Sequence, residues 1–285
     1  MAAPVGFNKP ENNIQSPHVG LPRIAASSYL NTAPLIWSFL HGARRHQVQL
    51  ITDTAPARCG DMLARRQVEA ALVPVIEYER IKGIQLVPGV CVGSHSAVRS
   101  VVLASKFDDL KRIRKVALDN SSRTSQALLK ILFCEFLEFE PEWEPGTPDL
   151  PAMLKTNDAA LIIGDPAMAI SAKDLHIFDL ASVWRRFTGT GFVFAMWMAR
   201  EEAAEVIGRV DFAGARDEGL NHMDDITRNY AALPDLPQRE LIGYLRDNIS
   251  FSLDEDLKKG LQLFYQLAFK HEIISTSPRL KMVGE

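Results

Sequence analysis

The sequence predicts an α/β protein whose two lobes face each other across a ligand cleft. Three observations point there. A strand–helix–strand alternation runs through residues 23–81 and resumes through 116–180. Two β-rich runs, 84–104 and 191–198, interrupt that alternation and read as crossings between the halves. In each half, a cluster of small polar residues sits where a strand hands over to a helix. Strands alternating with helices imply right-handed crossovers on parallel sheets, and the crevice beyond the strand ends is where such sheets hold ligands.

The elements follow in order. Arg23–Ala26 reads as a strand and Thr32–Leu40 as a helix closed by His41-Gly42. Val48–Thr52 is a second strand, and Pro56–Arg66 a helix with proline in its first turn. Glu69–Pro74 is a buried strand, followed by a helix from Val75 to Ile81. Ile84–Val92 and Val98–Ala104 read as long strands that lead out of the first lobe. Val116–Leu118 opens the second α/β unit, and Ser122–Leu137 is its main helix. A short helix at 151–156, a strand at 159–163, a helix after Gly164-Asp165-Pro166 and a strand at 176–180 complete it. The apolar run Gly191–Met198 leads back, and helices are expected near 201–209, 213–231, 236–246 and 254–270. The predicted division is a flexible tail at 1–20, a first lobe of 21–104 plus 196–285, and a second lobe of 105–195. The chain is expected to cross near 104–108 and 190–196.

Composition bounds the function. The chain has 285 residues, 47% hydrophobic and 24% charged, with a net charge of −3. That is a globular composition without a nucleic-acid footprint. Cys59, Cys91 and Cys134 are odd in number and far apart, which fits reduced thiols and no metal site. Residues 1–20 lack the apolar core of a secretory signal, and no stretch is long and apolar enough for a bilayer. A cytoplasmic protein with no membrane partner is expected.

The polar clusters carry the chemistry. SSYLNT, residues 27–32, offers Tyr29, Asn31 and Thr32 in the first lobe. DNSSRTS, residues 119–125, offers Ser122, Arg123, Thr124 and Ser125 in the second. A helix N-terminus presents free N–H groups and partial positive charge, so it suits carboxylates and phosphates. Capping alone explains either cluster. Two of them on opposing lobes favour a small anionic ligand.

The motifs YLNTAPL (29–35), ALVPVIEY (71–78), RSVVLAS (99–105), LDNSSRTSQALLK (118–130), LIIGDPAM (161–168) and DLASVWRRFTGTGFVFAMW (179–197) together resemble the chorismate dehydratase family. The resemblance runs in order from about residue 23 to the C-terminus. It implies a periplasmic-binding-protein-like fold of type II. It also implies a cofactor-free lyase that dehydrates chorismate, a dicarboxylate, to 3-[(1-carboxyvinyl)oxy]benzoate in the futalosine route to menaquinone. Asn31 and Ser100 become the expected catalytic residues. Tyr29, Thr32, Ser122, Arg123, Thr124, Ser125, Asp165, Thr188 and Gly189 become the expected substrate contacts. Asp165 reads equally well as a helix cap.

No general base stands out. Glu77 is expected to be solvated at a helix start, and His95 reads as a lone loop histidine. A carboxylate of the substrate can take the proton instead. Rival readings are a non-catalytic binding protein of the same fold, the sister 1,4-dihydroxy-6-naphthoate synthase, and the ligand domain of a LysR-type regulator. YLNT stands where the synthase carries Ser-Pro-Cys-Pro-Asn. No helix-turn-helix precedes residue 23.

Overall fold

Ten strands among the described residues form two five-stranded sheets. The computed structural model of the chain describes residues 20–171, 173–228, 230–233 and 235–284. Apart from Gly20, the expected N-terminal tail lies outside them. The strands are β1 (Arg23–Ser27), β2 (Gln49–Asp53), β3 (Ala70–Pro74), β4 (Ile84–Ser94), β5 (Val101–Ser105), β6 (Lys115–Asp119), β7 (Glu142–Gly146), β8 (Ala159–Ile163), β9 (His176–Asp179) and β10 (Phe192–Arg200).

The first sheet runs β2-β1-β3-β10-β4 and the second β7-β6-β8-β5-β9. The two share a design. In the first, β1 pairs in parallel with β2 and β3, and β10 runs antiparallel to β3 and β4. In the second, β6 pairs in parallel with β7 and β8, and β5 runs antiparallel to β8 and β9. Each lobe thus receives its antiparallel strand from a crossing. The central strands AALVP (β3), VVLAS (β5) and AALII (β8) are buried at every position, so they read as unbroken apolar runs. The edge strands QLITD (β2) and EWEPG (β7) are partly exposed and carry charge, and β7 also carries proline.

The pairing moves the expected boundary. Residues 101–104, expected in the first lobe, belong to the second sheet, while 192–195, expected in the second lobe, belong to the first sheet. The chain therefore crosses at 95–100 and 189–191. The physical reason is that β5 finds partners only on β8 and β9, where its fully buried face completes the second core. The helix Leu180–Thr188 follows β9, with Asp179 as its N-cap accepting from Ser182 N–H at 3.0 Å.

One apolar cluster runs through both lobes, from Ile24, Leu35 and Leu72 to Val116, Leu128 and Leu161. A smaller cluster of Val102, Ala117, Met153, Ala160, Ile162 and Ala167 covers the opposite face of the second sheet. The C-terminal helix Glu255–Lys270 packs on β10 and on the helix Arg123–Ile131, so it spans the junction. Among the described residues, no helix is long and apolar enough to cross a membrane.

Candidate active site

A cleft with about 510 Å³ of empty space, open solvent at its mouth included, lies where the strand ends of both sheets converge. Its polar lining comes from Ser27, Tyr29, Asn31 and Thr32 at the end of β1, Ser100 on the crossing, and Ser122 and Ser125 at the start of the helix Arg123–Ile131. Its apolar walls include Pro56, Leu72, Val98, Ile163 and Phe194. None of the described residues that line it is Asp, Glu, His, Lys or Arg. Such a cleft offers neutral donors and one helix N-terminus, but no charged side chain.

The first-lobe cluster is built by a short 3-10 turn, Leu30–Thr32, that follows β1. Thr32 Oγ1 lies 2.8 Å from Ser27 Oγ and donates to Asn31 Oδ1 at 3.4 Å. That chain turns the Asn31 amide toward the cleft. Tyr29 is mostly buried beside Ser121, and desolvation pushes its phenol up to about 12. It stays a neutral donor at any ordinary pH. In the second lobe, Ser122 caps its helix, accepting from Ser125 N–H at 3.4 Å, and the two hydroxyls lie 3.0 Å apart.

Ser100 is held by its crossing. Arg99, just before it, has φ +61°, which is uncommon for a residue with a side chain. Asp179 stabilises that conformation by accepting from Val98 N–H at 3.1 Å and Arg99 N–H at 2.6 Å. Ser100 carbonyl then accepts from Gly164 N–H at 2.7 Å. Sequence reasoning missed Tyr244, a buried residue near Asn31 whose O–H donates to Ser100 Oγ at 2.7 Å. The local pattern Leu241-Ile242-Gly243-Tyr244-Leu245 reads as core, and nothing in it marks the phenol.

The remaining expected contacts are engaged elsewhere. Thr124 is fully buried and accepts from Ile76 N–H of the first lobe at 3.1 Å. Arg123 donates to Glu77 Oε1 at 2.8 Å and to Asp61 at 3.2 and 3.3 Å. Asp165 accepts from Leu30 N–H at 3.1 Å and from Tyr230 O–H at 2.7 Å. These three residues tie the lobes together and do not line the cleft. Thr188 Oγ1 donates to Trp184 carbonyl at 2.9 Å, and Gly189 ends the same helix with φ +74°. Both terminate a helix, where a left-handed glycine and a back-bonded hydroxyl satisfy the last carbonyls.

Glu77 also departs from expectation. It is 0% exposed, and its second oxygen accepts from Arg80 at 2.5 Å while Arg123 holds the first. A buried carboxylate held by two guanidiniums makes a good latch. We expect Glu77→Gln to lower stability by about 2 kcal/mol, to raise KM by weakening closure, and to leave kcat within about threefold. Denaturant unfolding and steady-state kinetics check this, and a kcat loss above a hundredfold would make Glu77 the base. His95 is likewise not alone, lying 3.1 Å from Asp254 and 3.1 Å from Asp256 beside the crossing.

Burial raises the Asp165 carboxyl from 3.8 to about 6, against the bonds from Tyr230 and Leu30 that favour its charged form. Its folded value lies above its unfolded one. The stability it contributes is therefore full below pH 4 and is lost as pH rises through 6. Asp165→Asn is expected to gain on the wild type by on the order of 2–3 kcal/mol between pH 4 and pH 7. Unfolding curves at both pH values read this, and parallel pH profiles would show that Asp165 stays ionised.

Comparison with known proteins follows this geometry. Residues 22–270 match the profile of a family described as menaquinone biosynthesis. The chain is 30% identical over 265 residues to the chorismate dehydratase of Thermus thermophilus, covering 86% of this chain and 93% of that protein. Protein AF1704 from Archaeoglobus fulgidus superposes with a TM-score of 0.71 at 15% identity, covering 90% of this chain and all (100%) of that one. The periplasmic aliphatic sulphonate binding protein SsuA of Escherichia coli superposes with a TM-score of 0.61 at 15% identity, covering 93% and 94%. At that identity the likeness to solved structures shows the fold alone, and that fold is periplasmic-binding-protein-like.

Proposed function

The chain belongs to the menaquinone biosynthesis family, and from that premise we propose that it is a chorismate dehydratase. The reaction takes water from chorismate to give 3-[(1-carboxyvinyl)oxy]benzoate, the first step of futalosine-dependent menaquinone biosynthesis. The observation that carries the reading is the 30% identity to a chorismate dehydratase across 93% of that protein. A carbon–oxygen lyase working in the cytoplasm, as the sequence reading expected, goes with this proposal.

The chemistry fits the cleft. The ring hydroxyl leaves with the hydrogen of the carbon that bears the enolpyruvyl ether, and a ring double bond forms between those carbons. The ring becomes aromatic, which supplies the driving force. The protein has to orient the substrate, assist the departing hydroxide and provide a path for the proton. Ser122 and Ser125 at a helix N-terminus suit one carboxylate. Asn31 and Ser100, which line the same cleft, are proposed to donate to the leaving oxygen.

The proton acceptor is proposed to be the substrate's own side-chain carboxylate. The support is the absence of any acid, histidine or lysine among the described residues lining the cleft. Chorismate turnover with product identification tests the activity. Esterifying the side-chain carboxylate tests the acceptor: turnover is expected to vanish, and an ester processed at the wild-type rate would return the base to the protein.

A further inference from the structure

Tyr244 is a buried polar residue behind the cleft wall that the mechanism above leaves unused. It is 1% exposed and does not line the cleft. Its O–H donates to Ser100 Oγ at 2.7 Å. Desolvation holds the phenol well above its ordinary value, so the proton stays on it. Asn31 lies near the same phenol. One buried hydroxyl thus holds the serine at the entry into the second sheet, close to the first-lobe amide.

The backbone around Tyr244 is built for this contact. Tyr244–Asn248 is a π-helical segment that follows the helix Gln238–Gly243. Such wide turns are rare in soluble proteins and concentrate at functional sites. Its far end grips the same crossing, because Asn248 Nδ2 donates to Ala97 carbonyl at 2.8 Å. The segment therefore holds the crossing on either side of Val98 and Arg99, where the backbone turns left-handed.

A serine hydroxyl has one proton and two acceptor sites. When Tyr244 fills one acceptor site, the Ser100 proton has two directions left. One is Val98 carbonyl, at a long 3.4 Å. The other is the cleft that Ser100 lines. Donation from a buried phenol also polarises the Ser100 O–H and strengthens it as a donor.

We propose that Tyr244 is a positioning residue for the dehydration, which orients Ser100 as a hydrogen-bond donor into the cleft. The inference rests on the chorismate dehydratase reading and on Ser100 acting in it. Its occupant is the leaving hydroxyl or a carboxylate of the substrate, both of which accept.

The test is a double-mutant cycle on the intact protein with chorismate as substrate. Wild-type turnover comes first, since without it the functional reading fails before Tyr244 is in question. With wild-type turnover present, Tyr244→Phe keeps the ring in the core and removes only the hydroxyl. It is expected to lower kcat about 10- to 100-fold with KM changed less than threefold. Added to Ser100→Ala, it is expected to cost less than twofold more, because it acts through that serine. A Tyr244→Phe protein with kcat within twofold of wild type overturns the inference. So does full additivity with Ser100→Ala. If Tyr244→Phe fails to fold, 3-fluorotyrosine at position 244 keeps shape and hydroxyl and makes the phenol a stronger donor. An increase in kcat then supports the inference, and an unchanged kcat overturns it.

Discussion

Asn31→Ala is expected to lower kcat by about 10²- to 10³-fold, the usual cost of removing a donor to a developing oxyanion. Asn31 stands in the 3-10 turn after β1 and lines the cleft. Its amide is set by Thr32 Oγ1 and, through it, by Ser27. As the C–O bond of the substrate breaks, charge grows on the departing oxygen. A preset amide gains more from that charge than from the neutral hydroxyl of the bound substrate. The loss should therefore fall on kcat, with KM changed only a few-fold. The residue is half-buried at the cleft wall and outside the apolar core, so the fold should be retained. Steady-state kinetics with circular dichroism as a folding control measures this. A kcat within threefold of wild type would remove Asn31 from the leaving-group path.

The second large effect is expected at Gly164, which follows β8 and packs under the Tyr29 ring. It has φ +68° and ψ −150°, a conformation nearly reserved for glycine. Its N–H donates to Ser100 carbonyl at 2.7 Å. A methyl group there would stand 2.6 Å from Cε2 of Tyr29, across the cleft. Gly164→Ala therefore strains the backbone by about 1–3 kcal/mol and pushes the Tyr29 ring out of its seat. The strain falls on the turn after β8, and the clash falls on the contact between that turn and Tyr29 beside Asn31. We expect kcat/KM to fall about 100-fold, with a larger radius of gyration in solution scattering. Adding Tyr29→Ala removes the clash but not the strain, so it should recover part of KM alone. Unchanged kinetics in Gly164→Ala would mean that closure tolerates a displaced Tyr29.

Much of this was legible in the sequence, and the exceptions have physical causes. SSYLNT and DNSSRTS do meet across one cleft, because a strand end followed by a helix start is a local pattern that topology then brings together. The cluster DNSSRTS, however, divides its labour. Ser122 and Ser125 face the cleft, while Arg123 and Thr124, on the other side of the same turn, bind the first lobe. Sequence spacing places all four at the helix start but does not say what the opposing lobe offers them. Glu77 hides for the same reason, since the docked Arg123 adds a second guanidinium to its neighbour Arg80 and makes its burial tolerable. The strand Glu142–Gly146 was not expected, because EWEPG carries two acids and a proline and is held by one neighbour, β6. The lobe boundary shifted because β5 and β10 are apolar all round, and an unbroken apolar run does not reveal which sheet it joins. Tyr244 is the sharpest case. Its proposed role rests on a contact to Ser100, far away in the chain.

The central claim is that this cleft removes water from chorismate. The most direct measurement is to incubate the purified protein with chorismate and identify products by chromatography and mass spectrometry, with Asn31→Ala alongside. The account predicts an aromatic enol ether lighter than chorismate by one water, formed by the wild type and nearly absent with Asn31→Ala. Unreacted chorismate, or an isomer of unchanged mass, would contradict it.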